Sequence, residues 1–241
     1  MRYNSIYKIQ QTLKDKGYYR GHIDGQWGPL SDSAIQSAVE SGSVKLDFDF
    51  ATFKKLFKKR VIYQSFVNSV NHLMSTFNDY NILGGTSPLN AAYMLATSWH
   101  ETAYTMKPIK EYGGWKYLSK YDTGRLAKIL GNTPEADGDG QFYAGRGHVM
   151  ITGKDNYRKF ALLLDIDLLK NPDLALDLDT SAKILTIGSL RGMFTTKKLS
   201  DYIIFGRRQE FINARRVING TDDASAIATH AQNFVECLVL R

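Results

Sequence analysis

Cysteine is almost absent. The single Cys237 in 241 residues excludes an internal disulfide and a cysteine metal cluster. It sits in an apolar helical pattern and is assigned to packing. Proline is scarce too, at 5 residues, and there is no low-complexity run, which excludes collagen-like and proline-rich disordered classes. No stretch approaches the roughly 18 consecutive apolar residues of a membrane-spanning helix. The opening MRYNSIYKIQQTLKDKGYYRG turns polar too soon for a secretory signal, so the expectation is synthesis in a cytoplasm. What the chain does have is 43% hydrophobic and 23% charged residues, enough for a real core. Its length suits one large domain, or a small module joined to a medium one. A net charge of +7 favours a polyanionic partner: nucleic acid, anionic membrane or cell wall. Residues 1 to 60 hold most of the excess, with 11 basic and 6 acidic side chains.

In that first segment Ile6, Ile9 and Leu13 repeat at helical spacing. Gly17, Gly21, Asp24-Gly25 and Gly28-Pro29 then mark loops. Ala34, Ile35, Ala38 and Val39 form a second stripe, and Phe50, Phe53, Leu56 and Phe57 a third. The pattern predicts a three-helix module over 1–58, with KKLFKKR at 54–60 as a solvated helix end whose cations complement the helix dipole. A second domain is predicted over 61–241, opening with a helix that carries Ile62, Phe66, Val67, Val70, Leu73, Met74 and Phe77. Ser87-Pro88 offers an N-cap for a helix running to His100-Glu101, and Pro108 is expected to end or break whatever helix is still running. Residues 112 to 147 read as irregular loops with a short strand pair. NYRKFALLL, AKILTIGSL and EFINARRVI read as helices, and Thr221 with Asp222 and Asp223 as the cap of a last one.

Glu101 and Glu111 flank Pro108. Hydrolysis of an acetal needs one protonated carboxyl for the departing oxygen and a second, ionised one to activate water or attack carbon. An unbroken helix would hold residues ten apart about 15 Å apart and roughly 80° around the axis, too far to share a substrate. A chain folded back at Pro108 can reach the roughly 6.5–9.5 Å of inverting glycosidases. Glu101 falls in the last turn of an apolar helix beside Trp99, where its charge is expected to be disfavoured, which suits an acid. Glu111, in a Gly- and Tyr-rich loop near Lys110, is expected to be solvent-open and ionised, which suits a base. The competing reading of the spacing is two ordinary surface glutamates.

SWHETAYTMKPIKEYGG, YDTG at 121–124, GNTPEADGDGQFYAGRGHVMITGKDNY at 131–157 and RRVINGT at 215–221 together resemble glycoside hydrolase family 19. That family holds chitinases and a branch of bacteriophage endolysins. The likeness implies a mostly α, α+β lysozyme-like fold with a cleft between lobes, and inverting cleavage of β-1,4 bonds between N-acetylated aminosugars. It casts Glu101 as general acid and Glu111 as the second glutamate of the phage branch. It places Thr152 where a hydroxyl helps hold water, and Asn156 with the adjacent Tyr157 where substrate is contacted. Asn219 becomes the cleft asparagine and Arg215 an arginine supporting the acidic pair. Met150 stands where a glutamine is usual. Tyr143 and Trp115, with Tyr112 and Tyr117, could stack on sugar faces or fill the core.

Acids alternate in Glu135-Ala-Asp137-Gly-Asp139-Gly140 as in a calcium loop, but Arg146 stands where the bidentate glutamate belongs, which favours a plain turn. His72, His100 and His148 lack mutual ligand spacing, so no metal and no cofactor is expected. IQQTLKDKGYYRGHIDGQWGPLSDSAIQSAV resembles the peptidoglycan-binding type 1 module, through Tyr18, Tyr19, Asp24 and Trp27. The combined expectation is a monomeric endolysin hydrolysing bacterial peptidoglycan and acting in the cell wall, without stable membrane insertion and without nucleic acid as partner. A chitinase and a non-catalytic wall-binding protein remain alternatives.

Overall fold

The computed structural model describes residues 1–58, 60–79 and 86–241, so Lys59 of the basic run lies outside the described residues. In the first segment α1 (Asn4–Asp15) buries Ile6, Ile9 and Leu13, and α2 (Pro29–Glu40) buries Ala34, Ile35 and Ala38. The strand β1 (Leu46–Phe48) leads into α3 (Phe50–Leu56), whose first amides are capped by the Asp49 carboxylate. Three helices thus form where three stripes predicted them.

These helices are tied to the rest of the chain. β1 pairs antiparallel with β4 (Leu238–Leu240) at the far end of the chain, Phe48 opposite Leu238. Glu236 accepts from the amides of Asn4 and Ser5, doing for α1 what Tyr3 cannot do as N-cap. The Tyr3 hydroxyl donates to Gly206 O at 2.7 Å. Phe53 lies at the centre of an aromatic cluster, with ring centroids 5.8 Å from Phe48, 4.8 Å from Phe66, 5.6 Å from Trp99 and 5.8 Å from Phe234. One contiguous apolar core runs from Ile6 to Leu238.

The rest is mostly helical. α4 (Gln64–Phe77) buries Phe66, Val70, Leu73, Met74 and Phe77. α5 (Pro88–Glu101) starts as predicted, Ser87 Oγ accepting from Asn90 N at 3.2 Å, and is buried along nearly its whole length. Then come β2 (Ile109–Lys110), α6 (Trp115–Leu118), α7 (Gly124–Leu130), α8 (Asp139–Phe142) and β3 (Arg146–Gly147). α9 (Lys154–Leu164), α10 (Leu178–Arg191), α11 (Arg208–Ala214) and α12 (Ala224–Glu236) complete the chain before β4. β2 and β3 form the strand pair expected between 112 and 147, displaced so that its first strand precedes that window.

Three local expectations need correcting. Helix α5 ends at Glu101, seven residues before Pro108. It stops because Ala103, Tyr104 and Met106 all adopt left-handed backbone (φ 49°, 67° and 59°), which no α-helix can continue. Residues 112–147 are not wholly irregular but carry three short α-helices and a 3-10 turn at Ser119–Tyr121. Asp223 precedes α12 in left-handed conformation and caps nothing; its carboxylate lies 3.2 Å from His100 Nε2 instead.

Candidate active site

Glu101, the last residue of α5, and Glu111, the residue after β2, line one cleft of 440 Å³. Larger cavities of 750 and 660 Å³ lie elsewhere and contain neither glutamate. Thr152, Asn156 and Asn219 share the cleft with them, Phe194 and Ile218 adding apolar wall.

The two carboxylates are held by different means. Glu101 Oε1 accepts from Arg215 Nη1 at 2.6 Å, and Arg215, itself buried, is anchored through Nε to Asp222 O. A charge-assisted bond of this kind fixes the carboxylate's orientation. Oε2 accepts no hydrogen bond among the described residues. Trp99, expected to desolvate Glu101, instead packs into the aromatic cluster with Phe53, Phe57 and Phe66. An even step of two along a helix turns a side chain by about 200°, to the opposite face.

Glu111 accepts from the Tyr121 hydroxyl at 3.0 Å on one oxygen and from Gly145 N at 3.2 Å on the other, with Lys120 Nζ 3.6 Å away. Its side chain is 16% exposed rather than open to solvent. Lys110, expected beside it, points to Asp173 at 3.7 Å; adjacent residues of an extended chain face opposite ways. Burial, reinforced by the Glu111 charge, pushes the Tyr121 phenol above its ordinary pKa and keeps it a donor. Gly145 also accepts from Glu111 N at 2.7 Å, and a Cβ there would come within 3.1 Å of the Glu111 carboxylate. Tyr121, Lys120 and Gly145 were given no role from sequence, although Tyr121 opens the YDTG motif.

Around the pair, Thr152 spends its hydroxyl proton on Met150 O at 3.0 Å, leaving its lone pairs as acceptors toward the cleft. Asn156 Nδ2 donates to Thr152 O at 2.8 Å, and its Oδ1 stays an acceptor. Asn219 is exposed at the rim, its backbone N–H donating to Arg215 O. Met150, at the glutamine position, lines the wall in left-handed conformation (φ 53°).

Two residues assigned to substrate belong to the core. Tyr157 is fully buried, its hydroxyl donating to Ala144 O and accepting from Arg146 Nη1. Tyr143 is buried against it, 5.5 Å between ring centroids, with its hydroxyl on Leu169 O. On α9 the side chain after Asn156 turns about 100° inward, which sequence proximity hides. Trp115 is 71% exposed and lines the neighbouring 660 Å³ cavity with Phe142 and Gly138. Tyr112 is fully exposed, and Tyr117 half-exposed beneath the Lys120 ammonium.

The 135–140 loop is a turn around Asp122, whose buried carboxylate accepts from the amides of Gly138 and Gly140. Gly140 has no alternative: a Cβ would sit 2.4 Å from Asp122 N. Asp139 pairs with Lys154 Nζ at 2.9 Å.

In the first segment Tyr19 and Trp27 are buried, Trp27 Nε1 donating to Asp32 and the Tyr19 hydroxyl to His22 O. Their ring faces are committed to the fold. The Tyr18 hydroxyl sits among Ser41 and Ser43 at 2.7 Å from each. Asp24 braces its turn through Gln26 N and Gln10 Nε2, and lines a 350 Å³ cavity with Arg2 and Tyr7.

This architecture is the mostly helical fold of family 19 chitinases. A chitinase C point mutant aligns with TM-score 0.50 and 19% identity over 77% of this chain and 88% of its own. Chitinase C from Streptomyces griseus aligns with TM-score 0.50 and 20% identity over 76% and 72%. In sequence, 57 residues are 49% identical to a glycosyl hydrolase family 19 domain-containing protein of Haemophilus influenzae. That match takes in 24% of this chain and 28% of the relative's length. No family sequence model matches the chain.

Proposed function

We propose that the protein is a glycoside hydrolase that cleaves β-1,4 bonds of bacterial peptidoglycan with inversion, as the lytic enzyme of a phage. The observation that carries the hydrolase reading is the shared cleft: two glutamates ten residues apart, one hydrogen-bonded to a buried arginine, the other to two neutral donors with a lysine ammonium 3.6 Å away. In the proposed step a protonated Glu101, one oxygen fixed by Arg215, delivers its proton to the departing glycosidic oxygen. Arg215 then stabilises the carboxylate that forms. On the opposite face of the sugar Glu111 takes one proton from water as the oxygen attacks the anomeric carbon, while the hydrogen that stays on that oxygen donates a hydrogen bond to Thr152 Oγ1. Of the roughly four lone-pair positions of the Glu111 carboxylate, Tyr121 and Gly145 occupy two, which leaves it able to accept that proton. Asn156 and Asn219 offer neutral groups for acetamido and hydroxyl contacts, and Trp115 an exposed ring beyond the cleft.

Peptidoglycan is favoured as substrate by the excess positive charge of the first 60 residues and the wall-module likeness of that segment. With Tyr19 and Trp27 buried, wall contact falls to the Asp24 cavity and exposed Tyr7. Chitin is the second reading, since the similar solved structures are chitinases. Purified protein is incubated with peptidoglycan and with chitin oligomers, reducing ends are counted, and the anomer first released is read by proton NMR. New reducing ends of inverted configuration from peptidoglycan are expected. Release from chitin alone moves the substrate to chitin, retained configuration removes Glu111 as base, and anhydro ends replace hydrolysis by transglycosylation.

A further inference from the structure

The strap from Glu101 to Glu111 contains three left-handed residues, so the relative placement of the two carboxylates depends on whatever holds that strap in an unfavourable conformation. Part of the hold is local. Thr102 Oγ1 donates to Ser98 O and accepts from Met106 N at 2.9 Å. Outside the strap, the Arg60 guanidinium and the Trp99 and His230 rings pack on Tyr104, and Met106 is held by a histidine that the proposed reaction does not use.

His148 follows β3 directly and is wholly inaccessible to solvent. Its Nε2 lies 3.0 Å from Met106 O, its Nδ1 2.7 Å from Ser181 Oγ, and its own amide donates to that same Oγ at 2.7 Å. A carbonyl can only accept, so Nε2 carries the hydrogen; Nδ1 then accepts from the Ser181 hydroxyl, whose lone pair takes the His148 amide. Every polar atom of the ring and of Ser181 is satisfied by this one arrangement. Burial pushes the imidazole down to about 4, which keeps it in that neutral tautomer. Gly147 makes the close approach feasible, since a Cβ there would stand 2.9 Å from Ser181 Oγ and 3.0 Å from Ala175 O. The same stretch reaches Glu111 by a second route: Gly147 and Arg146 pair with Ile109 and Lys110, and Gly145 binds the Glu111 carboxylate.

We infer that His148 is a positioning residue, which by holding Met106 O ties the strap between the two glutamates to α10 and to the segment that carries the Glu111 donor. The inference rests on the hydrolase reading for its kinetic consequence, though not for the clamp itself. Catalysis falls steeply when reacting groups are misplaced by as little as about 1 Å. Loosening the strap should therefore lower kcat far more than it raises KM.

The test compares H148Q and H148N in the full chain. Glutamine can place its amide donor near the position of Nε2 and retain the bond to Met106 O, whereas asparagine reaches only the position of Nδ1. H148Q is expected within about threefold of the wild-type kcat, and H148N some 10- to 100-fold below it with KM changed less than about threefold. Amide exchange by mass spectrometry should show segment 102–111 exchanging faster in H148N than in H148Q, with α10 little changed. Equal kcat for two folded variants, or a loss confined to KM, overturns the positioning role. Equal exchange over 102–111 overturns the clamp. If the wild-type protein cleaves neither polymer, the hydrolase reading fails while exchange still decides the clamp.

Discussion

Phe53→Ala tests whether the first 58 residues are a detachable module or part of one cooperative body. Phe53 is 1% exposed and packs its ring against Phe48 and Phe57 from its own segment, and against Phe66, Trp99 and Phe234 from outside it. Deleting a buried phenylalanine side chain costs about 3–5 kcal/mol. A domain holds only about 5–15 kcal/mol in all, so this one substitution removes a large share. For a chain of this size about 1 kcal/mol shifts Tm by roughly 2–4 °C, which places the expected fall at about 6–20 °C. Because Trp99 lies two residues before Glu101, hydrolysis should be lost over the same temperature range as helicity. Differential calorimetry of wild type and variant, alongside residual activity after heating, gives both readings. A single transition that moves as a whole is expected. Two transitions, of which only the smaller moves while hydrolysis keeps its original heat profile, would refute the shared-core reasoning.

Glu101→Gln should fold and bind glycan normally yet lose about 10²–10⁴-fold in reducing-end release, the usual worth of a positioned acid, and lysis at wild-type rate removes the assignment. Tyr157→Phe should cost about 1–2 kcal/mol in urea unfolding, because Arg146 loses a buried acceptor, with KM unchanged; a raised KM would return Tyr157 to the substrate. Trp115→Ala should do the reverse, leaving Tm unmoved and raising KM for long glycans about fivefold, the equivalent of about 1 kcal/mol of stacking. For His148 the folded pKa of about 4 lies below the unfolded value near 6.5, so the native state binds fewer protons between them. Stability is full above pH 6.5 and falls toward pH 4 by up to about 3 kcal/mol, and urea unfolding of H148Q should show a shallower slope across that window.

What was legible in the sequence was what depends on near neighbours. The Ser87 cap, the stripes of α1, α4 and α12, and the identity of both cleft glutamates come from local spacing or motif. What was not legible depends on partners distant in sequence. β1 exists because Leu46–Phe48 meets Leu238–Leu240, about 190 residues away, and three residues alone carry no strand signal. The environment expected for Glu101 failed for the same reason: its decisive neighbour is Arg215, not Trp99. Tyr143 and Tyr157 read as substrate residues because an aromatic beside a cleft motif and one beneath it look alike in sequence.

Pro108 illustrates the difference between ending a helix and returning a chain. A proline removes one donor and tilts the axis, but the chain continues roughly forward. Bringing residue 111 back to the cleft that residue 101 lines requires a reversal, and this chain makes it with left-handed backbone. Ala103, Tyr104 and Met106 supply it without a glycine among them, so each is strained and each depends on bonds made elsewhere. Glu101 consequently rides on a helix locked into the aromatic core, while Glu111 rides on a strap held in part by Thr102, Gly145 and His148. The separation of the two carboxylates is thus a property of the backbone, and substitutions in the strap's supports should alter the rate more than conservative changes along the cleft wall.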